Sequence, residues 1–73
     1  MPTIQAVKID GERLRSLRRS RFLTRDELAE KSGVARDHIG RLERGEIPGE
    51  SRMGTIRKLA EALEVDPAEL VAD

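Results

Sequence analysis

The stretch Leu23–Gly45, LTRDELAEKSGVARDHIGRLERG, decides the fold. Thr24 followed three residues later by Glu27 is a capping box, which starts a helix by satisfying two orphan amides reciprocally. Leu28 and Ala29 then face inward, and Gly33 supplies the left-handed residue at which a helix stops. Val34 fills the corner of a tight turn. A second helix is predicted from about Ala35 to Arg44, ended by Gly45. Two short amphipathic helices joined by a glycine turn follow from these signals.

At about 100° per residue, Arg36, Asp37, Gly40, Arg41 and Arg44 share an arc of roughly 140° on the second of these helices. Ile39 and Leu42 fall on the opposite side and anchor the helix. The outward edge is therefore rich in guanidinium, whose fork matches the O6 and N7 acceptors of guanine and also phosphate oxygens. Gly40 has no side chain there, which permits close approach of the backbone to a base or methyl group. Arginines on a solvated helix ordinarily do nothing more than meet water, and Asp37 and Arg41, four apart, are spaced to pair with each other. Their position on the second helix of a helix-turn-helix shifts the balance toward the major groove of double-stranded DNA.

Working outward, Asp10 is a plausible N-cap for a helix over about Gly11–Ser20, with Leu14 and Leu17 inward and arginines over the rest. Residues 46–51, marked by Pro48 and Gly49, read as a loop. Met53, Ile56, Leu59, Ala60 and Leu63 recur at helical spacing, predicting a helix over about Arg52–Leu63. A last short helix has Asp66 as cap, Pro67 in the first turn and Glu69 closing a second capping box, with Leu70 and Val71 to bury. No segment alternates with period two. The expectation is an all-α, compact five-helix domain without strands over residues 10–73, preceded by an arm over residues 1–9.

Bulk properties narrow the function. Seventy-three residues allow one small domain. There is no cysteine and one histidine, so disulfides and thiolate metal sites are excluded. No apolar run approaches a membrane span and the start lacks a signal-peptide pattern, so a cytoplasmic location without membrane contact is expected. With one Phe and neither Trp nor Tyr, stacking on single-stranded bases is disfavoured. The net charge of zero hides an asymmetry: residues 1–22 carry six basic and two acidic side chains, and residues 46–73 carry three basic and seven acidic. A basic front and an acidic rear orient the molecule on a polyanion.

From about Gly11 to Leu70 the pieces GERLRSLR, LTRDELAEKSGV, HIGRLERG and TIRKLAEALEVDPAEL resemble the Cro/repressor-type (XRE-like) helix-turn-helix family of bacterial and phage regulators. The resemblance implies a lambda-repressor-like domain in which helices 2 and 3 form the helix-turn-helix and helix 3 enters the major groove. It implies base reading by Arg36, Asp37, Gly40 and Arg41, and phosphate contacts from Thr24, Arg25, Arg44 and Arg52. His38 is open to two readings, a phosphate contact or packing at the helix edge, with packing preferred. Glu43 matches an acid that pairs with an arginine of the first helix, here Arg18, as a structural ion pair. Four positions depart from the family pattern. Arg25 replaces a common glutamine, Ala35 a capping serine, and Phe22 a glycine, its ring expected in the core; the 46–51 loop is about two residues longer.

The expected function is sequence-specific double-stranded DNA binding, as a small transcriptional repressor. Two copies on a palindromic site would supply enough contacts, with Leu70 and Val71, or Ile4 and Val7, as candidate dimer surfaces or else as parts of the monomer core. The alternative is an antitoxin that binds a protein toxin and represses its own promoter. No nucleophile, base and orienter come together, so neither an enzyme, a cofactor nor a metal site is expected.

Overall fold

The computed structural model describes residues 6–45 and 50–72, with side chains for residues 8–45 and 53–72. Among the described residues four helices carry the fold: α1 (Gly11–Ser20), α2 (Arg25–Ser32), α3 (Arg36–Arg44) and α4 (Met53–Leu63), followed by a 3-10 turn at Pro67–Leu70. The caps are those that the sequence dictates. The Asp10 carboxylate accepts from the Arg13 amide at 3.0 Å, and Thr24 and Glu27 form the reciprocal box. Gly33 and Gly45 end α2 and α3 at φ of 77° and 71°. Ala35 caps α3 without a side-chain hydrogen bond, as its methyl group requires.

The core is a layer of aliphatic side chains with no aromatic ring. Leu14, Leu28, Ile39, Leu42, Ile56, Leu59, Leu63 and Leu70 are fully buried, and Ile9, Val34 and Ala60 complete the cluster. α1 packs on α3, α2 packs on both α3 and α4, and the 3-10 turn closes against α4 and α1. The α1–α3 crossing is very close. A Cβ added at Gly11 would overlap the backbone carbonyl oxygen of Leu42 and sit 3.2 Å from that of Glu43.

Several expectations are corrected. The fifth helix is a single 3-10 turn: Asp66 accepts from the Ala68 amide, and Glu69 pairs with Arg13 of α1 instead of closing a second box. Residues Ala6–Lys8 (β1) and Glu50–Arg52 (β2), expected within the arm, the loop and the start of α4, form a short antiparallel ribbon with Ala6 opposite Arg52. Three residues per strand are too few to show alternation, which is why no periodicity announced it. Residues 6–9 of the expected arm are thus paired with the rest of the domain. Ile9 is buried and bridged to Val71, and the Asp10 amide donates to the Leu70 carbonyl at 2.8 Å. Leu70 is wholly consumed by its own core, which removes it as a dimer surface. Ile4 and the loop positions 46–49 lie outside the described residues, as does the side chain of Val7.

Phe22 also departs from expectation. Its ring is 92% exposed, not in the core, and its backbone sits at φ 58°. The amides of Phe22 and Leu23 donate back to the carbonyls of Arg19 and Arg18, the hydrogen-bond pair of a Schellman motif. The left-handed exit that glycine usually provides is therefore kept by a phenylalanine. Keeping it directs the ring outward.

Candidate nucleic-acid interface

α3 owes its orientation to what lies beneath it. Ile39 and Leu42 are buried in the core. Glu43, whose side chain has no exposed surface, receives Arg18 through two hydrogen bonds, Nε at 2.6 Å and Nη2 at 3.0 Å. Arg18 also donates to the Leu23 carbonyl at 2.8 Å, so one guanidinium joins the end of α1 to the underside of α3. The Ser32 hydroxyl, buried in the turn, accepts from the Val34 amide and stiffens the corner. Burial works against the charge on Glu43, yet the hydrogen bonds and charges of Arg18 and Arg25 outweigh it and hold its pKa below the ordinary 4.5.

The outward side of α3 forms a cleft of about 340 Å³ lined by Arg25, Arg36, Asp37, Gly40, Arg41 and Arg44. Four arginines from α2 and α3 thus line one helix edge with one acid. Arg36, Asp37, Arg41 and Arg44 are exposed there. Asp37 and Arg41, spaced to pair, form no ion pair among the described residues. Gly40 lines the cleft but is itself buried, because the Arg44 guanidinium lies over it, 3.1 Å from where a Cβ would stand. His38 is half-buried at the helix edge. Thr24 is exposed at the start of α2; its oxygen accepts the Glu27 amide, which leaves the hydroxyl proton available as a donor. For Arg52 the structure describes only the backbone, at the end of β2; its side chain lies outside the described residues.

Two contacts had no counterpart in the sequence reading. Arg25, expected only on phosphate, gives its Nε to Glu43 at 3.1 Å and is two-thirds buried. Arg36, expected only on bases, forms an ion pair with Asp26, its Nε 2.9 Å from the carboxylate. Both link α2 to α3 through the angle between them, which no local pattern encodes. Among the described residues there is no group of three or more His, Cys, Asp or Glu that could hold a metal ion. No described helix is long and apolar enough to cross a membrane.

A helix-turn-helix domain model matches residues 11–72, from the first turn of α1 to the end of the described chain. The chain belongs to that family. A curated relative, the HTH-type transcriptional repressor RghR of Bacillus subtilis (strain 168), is 49% identical over 55 residues, 75% of this chain and 40% of the relative. The chain spans about two-fifths of the length of the curated relatives it matches. Among solved structures, the restriction-modification controller protein C.AhdI from Aeromonas hydrophila aligns with a TM-score of 0.75 at 41% identity, over 81% of this chain and 86% of that one. The biofilm regulator SinR, solved in complex with DNA, aligns with a TM-score of 0.77 at 27% identity, over 82% and 97%. In this family setting the arginine-lined cleft lies on the second helix of the motif, the helix that such domains insert into the major groove.

Proposed function

We propose that this chain binds double-stranded DNA sequence-specifically and acts as a small transcriptional repressor, with α3 in the major groove. The observation that carries the reading is the cleft itself: Arg25, Arg36, Arg41 and Arg44 converge on the exposed edge of a helix whose opposite edge is locked into the core. Family membership and the names of the relatives support it. Arg36, Arg41 and Asp37 read base edges, the arginines through guanine O6 and N7 and the aspartate through the cytosine amino group. Thr24, Arg25, Arg44 and Arg52 hold phosphate, and His38 packs at the edge of the helix. Two copies act together on a two-fold symmetric site, because one such domain offers few contacts.

Affinity selection from a random duplex library tests the reading. The expected result is one enriched motif, and the Arg41→Ala variant should lose about 1–3 kcal/mol at that site and accept other bases at one position. A library that returns unenriched would defeat sequence-specific binding.

A further inference from the structure

Arg36 opens α3, and its Nε lies 2.9 Å from Oδ1 of Asp26 in the first turn of α2. The pair is wet, with side-chain exposures of 62% and 75%, so it contributes little to folding stability. A carboxylate beside the cleft also opposes attraction to phosphate, since every phosphate contact is electrostatic. Asp26 therefore has an electrostatic cost on the very face that meets DNA and little folding benefit beyond its favourable place near a helix N-terminus.

What the contact does is restrict Arg36. A guanidinium has two edges that can present parallel N–H donors, the Nε edge and the terminal Nη1/Nη2 edge. Asp26 stands beside the first as an ion-pair partner, and it lines a separate surface hollow with Ala29, Glu30, Gly33, Val34 and Ala35. Arg36 also lines the cleft, with Arg41. The carboxylate at Nε favours positions of Arg36 that leave its terminal edge for a reading contact. Arg41, by contrast, is paired with no acid among the described residues.

We propose that Asp26 is a specificity-determining positioning residue: its carboxylate, paired with Arg36 at Nε, biases that arginine so that the terminal edge faces a guanine, and it disfavours swinging onto phosphate. This rests on the base-reading role proposed above for Arg36.

The test is random-duplex selection, with titrations on selected and scrambled duplexes, for the full chain and its Asp26→Asn, Asp26→Ser and Arg36→Ala variants, alone and combined. Arg36→Ala marks the base position that Arg36 reads. At that same position the two Asp26 variants should reduce the guanine preference about fivefold. They should bind the scrambled duplex about twofold more tightly, with thermal unfolding lowered only by the small loss of a charge at the start of α2. In the Arg36→Ala background neither should alter the motif further. Full guanine preference in both Asp26 variants overturns the proposal, because Asp26 then serves only the start of α2. A loss of preference that persists in the Arg36→Ala background overturns it too. If Arg36→Ala leaves the wild-type motif intact, the base-reading role of Arg36 is what fails, and the result is distinct from either of these.

Discussion

Phe22 and Glu64 hold φ of 58° and 60°, in the left-handed region where a Cβ meets the following carbonyl oxygen. Each is the left-handed residue of a Schellman motif, closing α1 and α4 respectively; at the second, the amides of Glu64 and Val65 donate to the carbonyls of Glu61 and Ala60. Arg21 ties the two ends together by donating to the carbonyls of Leu63 at 2.9 Å and Glu64 at 3.5 Å. Strain at a non-glycine left-handed residue is on the order of 1–3 kcal/mol, offset in part by the greater unfolded-state entropy of glycine. Phe22→Gly should therefore stabilise the domain by about 1 kcal/mol, seen as a rise of about 4–8 °C in the thermal midpoint. Gly11 is the opposite case. There a methyl group meets the Leu42 carbonyl, which is backbone and cannot swing aside. Gly11→Ala should lose about 1–3 kcal/mol in urea unfolding even though alanine favours the helix.

At the scale of elements, α3 is held by one buried carboxylate. Glu43 joins α3 to α1 through Arg18 and to α2 through Arg25. Removing it strands Arg18, whose side chain is only 11% exposed, so Glu43→Ala should cost about 3–5 kcal/mol. The pH dependence follows from the direction of its shift. The folded pKa is depressed, so the stabilisation is complete above the unfolded value near 4.5 and disappears as pH falls through the folded value. Urea unfolding should show wild type losing stability below about pH 4.5. Glu43→Gln, already weaker at neutral pH, should lack that component of the decline. The Arg18–Glu43 pair was legible from the family pattern, and the helix limits from caps and glycines. The Arg25–Glu43 and Asp26–Arg36 cross-links were not, since their partners meet only because of how α2 crosses α3.

For the whole molecule, the basic N-terminal and acidic C-terminal segments are brought together, with Arg13 of α1 paired to Glu69 of the 3-10 turn. The fully buried Leu70 belongs to the monomer core, so the proposed pairing of two copies would use other surface. Selected sites should contain two inverted half-sites whose centres lie about one helical turn apart, roughly 10 bp. Sedimentation of the complex should report two chains per duplex, and a single chain on an isolated half-site at full affinity would count against two-fold binding.

What the chain determines by itself is local. The Thr24–Glu27 box, the stops at Gly33 and Gly45 and the three- and four-residue spacing of leucines act within one or two turns, so they place four helices and the arginine edge of α3 without knowledge of the fold. What only tertiary structure decides depends on groups distant in sequence. The β1–β2 ribbon joins residues more than forty apart, Ile9 bridges to Val71, and Arg13 of α1 pairs with Glu69. The Nε edges of Arg25 and Arg36 find their acids only once the angle between α2 and α3 is set, and that angle comes from core packing.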